Sequence, residues 1–448
     1  MNRICKRARA LCLLLALLLG GMGYFLRTYS RMARQWVFHP ANSQRVSVTV
    51  TDRCGQLLRN GGQYSGDREL DAATVHWLGD RAGNIHSPLL SHYAPQLTGY
   101  DPINGLYSYA GTGGDLHLTL SGQVQKVALQ AMGSYKGTIS VMNYRTGEIL
   151  CAVTTPVFHP DVPPNMDQDP QKYDGIYWNR YTQGLYIPGS IFKIVTTAAA
   201  LECVENICQQ TFLCTGQLKL DGGLVICEMA HGQLDLKTAM MCSCNCAYAQ
   251  VALLLGQENL RACIDRYGVL ERVCFDGITT AAGSVDGRPM LPADLAWTAI
   301  GQHRDQINPC TFLTFLAAIA NGGQGVEPYL VASVIRDGKA AYEAEVVLRQ
   351  PIVQPEVASS VKDFMRNNVA QNYGDSHFPG LTVCAKSGTG EVDGGARAFA
   401  MFAGFLTDES YPLAFFVAVE DAGYGKTVCV PIVSQVLLAC KAELDETA

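Results

Sequence analysis

Charge is scarce in this chain. Only 17% of its 448 residues are Asp, Glu, Lys or Arg, while 48% are hydrophobic. That balance excludes a disordered chain and allows a large buried core. The formal net charge is −6 and no long basic stripe occurs, so nucleic acid is not the expected partner. The His residues are scattered and form no H-E-x-x-H, which removes the zinc-peptidase helix. "GYGKT" at 423–427 lacks the first glycine of a phosphate loop, because position 420 is Glu. Internal repeats and low-complexity tracts are also missing, which excludes solenoids and arrays.

Cysteine, by contrast, is abundant, at 17 residues. An odd and large number does not suit a fully bridged exported domain. Most are expected to be reduced, buried small hydrophobes in a protein from a reducing environment. One pair stands out: Cys214 and Cys227 flank "TGQLKLDGGLVI", whose Asp221-Gly222-Gly223 reads as a hairpin turn. Adjacent strands are the expectation there; a reduced pair is the preferred reading and a disulfide the lesser one. Cys242, Cys244 and Cys246 have no neighbouring His, and C-x-C-x-C is not a zinc spacing. No metal site is expected.

The N-terminus carries Arg3, Lys6, Arg7 and Arg9, then an uncharged apolar run from Ala10 to Leu26. As a helix the run spans roughly 25 Å, the short end of a membrane crossing. No small-residue cleavage site follows it, so an uncleaved anchor is favoured over a cleaved signal peptide. The expected organisation is a cytoplasmic head at 1–9, a transmembrane signal-anchor at 10–27, a small β-rich, membrane-proximal region at 28–135, and a main domain at 136–448. That places the cell membrane as the location, with a single pass and the main domain outside the cytoplasm.

Along the main domain, "GTISVMNYRTGEILCAV" alternates and turns at Arg145-Thr146-Gly147, a hairpin. Helical patterns cover 190–204, 234–255 and 308–322. "AFAMFAGFL" and "LAFFVAVED" read as buried strands, and "PIVSQVLLACKAEL" as a closing helix. An α+β fold follows: an antiparallel sheet packed by helices.

The chemistry-bearing stretch is "YIPGSIFKIVTTAAALE" (186–202). Pro188-Gly189 leads into a helix start at Ser190, and Lys193 shares its face at i+3. A serine attacks only when a base takes its proton. A lysine can be that base only when neutral, and an apolar helix lowers its pKa by desolvation. S-x-x-K alone is weak, and Ser359 with Lys362 makes a second match that reads as surface. Order and company distinguish Ser190. "SCN" at Ser243-Cys244-Asn245 is the only S-x-N of the chain. "KSGT" at Lys386-Ser387-Gly388-Thr389 holds the only K-[ST]-G.

S-x-x-K, S-x-N and K-[ST]-G in that order resemble the serine penicillin-recognising enzymes. From about residue 116 onward the chain is similar to a class B penicillin-binding protein. "TLSGQVQKVALQAM", "NRYTQGLYIPGSIFKIVTTAAALE" and "CAKSGTGEV" are among the blocks that carry the likeness. The resemblance implies a β-lactamase/D,D-peptidase-like transpeptidase domain that needs no cofactor. Peptidoglycan stem peptides are its implied substrates and β-lactams its inhibitors. It implies Ser190 as nucleophile, Lys193 as its base and Ser243 as proton relay. Asn245, Lys386, Ser387, Gly388 and Thr389 would bind substrate, with the Ser190 and Thr389 N–H groups as oxyanion hole. Cell-wall synthesis proteins such as a glycosyltransferase are the implied protein partners. Ser387 stands where Thr is frequent in the family, and Met401 where Trp is common. A D,D-carboxypeptidase or β-lactamase using the same site, and a β-lactam sensor or scaffold, remain the alternatives.

Overall fold

The computed structural model describes residues 2–37, 47–98, 100–101, 106–107, 112–392, 395 and 397–447. Its centre is a five-stranded antiparallel sheet built from β1 (Gly137–Asn143), β2 (Ile149–Thr155), β3 (Val383–Val392), β4 (Arg397–Leu406) and β5 (Leu413–Val419), in the order β3-β4-β5-β1-β2. The expected hairpin is the β1–β2 pair.

Both faces of this sheet are covered, which explains why its strands read as continuous apolar runs. On β5, Ala414, Phe416 and Ala418 enter one core, while Phe415, Val417 and Val419 enter the other. The second core is closed by α2 (Gly122–Met132) and α7 (Gly425–Thr447). The first is closed by helices of the middle of the chain: α3 (Lys193–Cys203), α4 (Asn245–Leu255), α5 (Pro309–Ala320) and α6 (Pro355–Asn368). The Ser190 segment is therefore packed against the larger core through Ile191, Phe192 and Ile194. The helix expected over 234–255 is two pieces, Leu236–Met241 and α4, broken at Cys242–Cys244. The closing helix starts earlier than expected, at Gly425, and runs through Pro431.

A second sheet of six strands begins in the region expected to stand apart at 28–135. Ser47–Thr51, Leu57–Asn60, Gln63–Tyr64 and Thr112–Leu118 are completed by Val331–Arg336 and Lys339–Glu343. Strand pairing thus crosses the boundary expected at 135/136. Ahead of it, α1 (Asn2–Val37) is a long helix whose Arg3–Met32 stretch is apolar enough to cross a membrane, with none of its apolar window buried. The α7 helix meets the same length and hydropathy test, but it packs on the central sheet.

Candidate active site

Ser190 lies in a tight 3-10 turn, Gly189–Phe192, and α3 begins only at Lys193. The expectation of an α-helix from Ser190 is corrected to that extent. In a 3-10 turn residues i and i+3 eclipse, so Ser190 and Lys193 still share a face. The turn is pinned from two sides. Gly189 has φ +53° and donates its N–H to Gly301 O at 2.8 Å. A Cβ on Gly189 would run into Thr389 O, and one on Gly390 into Ile187 O. A Cβ on Gly388 would stand 2.8 Å from Pro188 O. Glycine on both partners lets β3 press against the serine's turn.

The approach to the turn is fixed by buried polar contacts. Asn179 caps the short helix Arg180–Gln183. Arg180 Nε donates to Glu420 Oε1 at 2.7 Å, and Tyr186 OH reaches the same oxygen at 3.1 Å. Asn308 donates to Thr182 O and Gly184 O, both at 2.9 Å.

Lys193 is 0% exposed and Lys386 is 1% exposed. Burial pushes each amine down to about 7, and for Lys193 the neighbouring Lys386 charge acts in the same direction. Lys193 Nζ donates to Ser243 O at 2.6 Å and Asn245 Oδ1 at 2.8 Å, and lies 3.3 Å from Ser243 Oγ. Those two acceptors take the two N–H bonds of a neutral amine. The lone pair is left for a hydroxyl proton. Lys386 Nζ donates to Ser387 O at 2.8 Å and to Ser243 Oγ at 3.0 Å. The Ser243 hydroxyl therefore bridges two amines that cannot comfortably both be charged.

Ser243 is held there at φ +56°, a left-handed conformation rare outside glycine. It follows the helix Leu236–Met241 and precedes α4, whose first residue is Asn245. Asn245 Nδ2 anchors to Ile226 O at 2.8 Å.

The K-S-G-T residues lie on β3. Two groups beside them escaped the motif search. Tyr373 OH accepts the Ser387 N–H at 2.8 Å and lies 3.0 Å from Ser387 Oγ. Gln302 Nε2 donates to Thr389 O at 2.7 Å, and its Oε1 accepts the Glu391 N–H at 3.2 Å. Gln302 lies in "IGQHRDQ" (300–306), within a block that carries the family likeness, but no sequence feature ties it or Tyr373 to β3, which both reach through the fold. All of Ser190, Lys193, Ser243, Asn245, Lys386, Ser387, Gly388 and Thr389 belong to this assembly of turn, α4 and β3. Ser359, in contrast, is exposed on α6. Met401 is fully buried on β4, paired with Gly388.

The expected placement of Cys214 and Cys227 on adjacent strands is corrected. Both cysteines are free. The hairpin pairs Gln217–Leu220 with Gly223–Ile226, but Cys214 pairs across to Gly232 on another strand. Cys227 Sγ instead lies 3.6 Å from Cys244 Sγ.

Comparison with known proteins decides the family. The penicillin binding protein transpeptidase domain matches residues 137–438. The chain belongs to the class B penicillin-binding protein transpeptidases. It is 28% identical over 428 residues to the peptidoglycan D,D-transpeptidase PbpA of Mycobacterium tuberculosis, covering 89% of this chain and 79% of that protein. It is 27% identical over 413 residues to stage V sporulation protein D of Bacillus subtilis, covering 87% and 60%. The fold matches the D,D-transpeptidase domain of a peptidoglycan glycosyltransferase from Eggerthella lenta, with a TM-score of 0.76, 24% identity, and coverage of 89% and 99%. It matches the penicillin G acyl-enzyme complex of penicillin-binding protein A from M. tuberculosis with a TM-score of 0.73, 23% identity, and coverage of 89% and 100%.

Proposed function

We propose that this penicillin-binding protein is a serine D,D-transpeptidase that cross-links peptidoglycan stem peptides and is acylated by β-lactams. The observation that carries the reading is the pair of buried, low-pKa lysines meeting at the Ser243 hydroxyl, Lys193 following directly on the 3-10 turn that holds Ser190. Such a pair holds a neutral amine near pH 7.

Ser190 Oγ attacks the carbonyl carbon of the penultimate D-Ala, and Lys193 takes the hydroxyl proton. The tetrahedral oxyanion sits against the N–H groups of Ser190 and Thr389. As the peptide bond breaks, the departing D-Ala amine receives a proton through Ser243, which Lys386 and Lys193 bridge. The amine of a second stem peptide then displaces Ser190 and restores its proton. Lys386, Ser387 and Thr389 hold the substrate carboxylate, Gly388 lets the strand approach, and Asn245 holds the donor backbone. Positioned acid–base groups of this kind are worth about 10²–10⁴ in rate.

The apolar helix at Arg3–Met32 supports anchoring in the cell membrane; the short basic head ahead of it is the ground for reading the catalytic part as outside. Residues 28–135 are read as the non-catalytic membrane-proximal region, and cell-wall synthesis proteins, a glycosyltransferase among them, as the partners. Intact-protein mass spectrometry after a penicillin pulse tests the core of the reading. One acyl adduct located on Ser190 is expected. An unmodified protein, or an adduct elsewhere, overturns it.

A further inference from the structure

Away from the catalytic groups, two helices of the larger core meet at a pair of sulfur atoms. Cys203 is the last residue of α3 and is exposed. Cys263 lies on the helix Gln257–Tyr267, on the buried face that also carries Leu260, Ile264 and Tyr267. The two Sγ atoms are 3.6 Å apart, and both cysteines are free. A disulfide of about 2.05 Å asks them to close by about 1.6 Å. With the sulfurs already in contact, that is a movement of side chains rather than of helices.

Other cysteines of the domain sit differently. Cys310 and Cys384 are buried in the larger core and Cys429 in the second, where a small hydrophobe fits. Cys203 stands at the surface, where packing gives a thiol no such role, and its sulfur faces a buried one. The meeting point is also braced. Glu202 pairs with Arg266 across the same two helices. Glu202 Oε1 accepts the Gln354 N–H at 3.2 Å, at the start of α6. Arg266 Nη2 lies 3.6 Å from Cys263 Sγ. Burial pushes the Cys263 thiol up, and a guanidinium beside it favours the thiolate. The exposed sulfur is thus the one that an oxidant meets, and the shielded sulfur is the one that completes the bond.

We propose that Cys203 and Cys263 are a modification site, a dithiol that a disulfide-bearing oxidant converts to a disulfide. The Cys203 thiolate attacks one sulfur of the oxidant, forms a mixed disulfide and releases one thiolate. Cys263, deprotonated beside Arg266, attacks the Cys203 sulfur and expels the second thiolate. Two protein thiols lose two electrons and two protons, and the oxidant's disulfide becomes two thiols. The new bond closes a loop from 203 to 263 that contains Ser243, Asn245 and all of α4. It therefore restrains the unfolded form of the segment that carries the S-x-N motif. Cys203 is ten residues from Lys193 along α3, or roughly 15 Å, so the bond acts on stability and not on the amine. The inference does not depend on which acyl transfer the site performs.

The test uses the full chain in detergent, fully reduced and then equilibrated with glutathione with the oxidised form in excess. Samples are quenched with an alkylating agent, digested and mapped by mass spectrometry. A peptide pair joined through Cys203 and Cys263, and separated again by dithiothreitol, is expected. Oxidation should raise the thermal unfolding midpoint by about 5–10 °C, the effect expected of a cross-link closing a loop of this length. Cys203→Ser should form no such link and should lose that rise. Its side chain is exposed, so the variant keeps the test valid if Cys263→Ala fails to fold. Penicillin acylation should proceed at similar rates in the reduced and oxidised wild type. A chain whose Cys203 and Cys263 both stay open to alkylation after oxidation overturns the site. So does Cys203 joined to Cys208 instead, or a midpoint that rises equally in the wild type and in Cys203→Ser.

Discussion

Two stretches of this protein carry the same four-residue pattern and differ in everything else. Ser190 and Lys193 lie in the larger core, on a turn clamped between Gly301 and β3. Ser359 and Lys362 lie on α6, with Ser359 exposed and Lys362 half-buried. The first lysine is enclosed and its amine is pushed down to about 7. In the proposed mechanism a serine is activated not by its spacing from a lysine but by the removal of water from that lysine and the presence of a second amine.

The largest expected effect breaks this comparison outright. Ser190→Ala should abolish labelling by a fluorescent penicillin, while Ser359→Ala should leave labelling intact and shift stability by less than about 0.5 kcal/mol, as surface changes do. Gel fluorescence and denaturant unfolding measure the two. Labelling that survives Ser190→Ala would return the site to open question.

Next is the lysine. Lys193→Ala should slow acylation by about 10²–10⁴, the usual worth of a positioned base. Lys193→Arg should be nearly as slow, because Arg does not lose its proton in this range. The groups around this amine are Lys386 on β3, Cys242, Ser243 and Cys244 at the break before α4, Asn245 and Tyr248 on α4, and Cys227 beyond the hairpin. Its pKa is depressed, so the reactive neutral form is lost as pH falls through about 7. The second-order acylation constant should thus rise across pH 7 in the wild type and lose that limb in both variants. An Arg variant that acylates at the wild-type rate would reduce Lys193 to a fixed charge.

A smaller effect separates the two amines. Lys386→Met removes a charge that lowers the Lys193 pKa. The rising limb of the pH profile should then move to more alkaline pH, besides an overall loss from weaker carboxylate binding. A limb that stays in place would mean that burial alone sets the Lys193 pKa.

The contrast between the two S-x-x-K stretches also marks what the sequence could and could not convey. The strands of the central sheet were legible because both faces are buried, which leaves unbroken apolar runs such as Leu413–Val419. The three motifs were legible because each is contiguous. Non-contiguous features were not. Tyr373 and Gln302 reach β3 from segments outside the three motifs. The adjacent-strand placement of Cys214 and Cys227 failed because the hairpin pairing ends at Gln217, whereas Cys214 turns away to pair with Gly232. The 3-10 turn at Ser190 was hidden too, since the clamp that holds it comes from Gly301 and β3 rather than from neighbours in sequence.

The smallest effect tests whether the strand half of the site is oriented from behind. Tyr373 closes a π-helical turn, Val369–Tyr373, and burial raises its phenol pKa, so it stays a neutral hydroxyl. That hydroxyl accepts the Ser387 N–H and lies within hydrogen-bond reach of Ser387 Oγ. Tyr373→Phe keeps the ring, including its edge contact with Phe402 at 5.2 Å, and deletes only the oxygen. The Ser387 N–H loses its partner, which should cost about 1–3 kcal/mol of stability. The Ser387 side chain loses the group that fixes its rotamer, so carboxylate binding should weaken while Lys193 is untouched. The acylation constant should fall modestly, by about 3–10-fold for one lost neutral hydrogen bond, with the pH midpoint unchanged. Stopped-flow acylation across pH, paired with unfolding curves, reads both. A shifted midpoint would show that Tyr373 acts on the amines through Lys386 instead, and an unaltered rate and stability would show that the contact orients nothing.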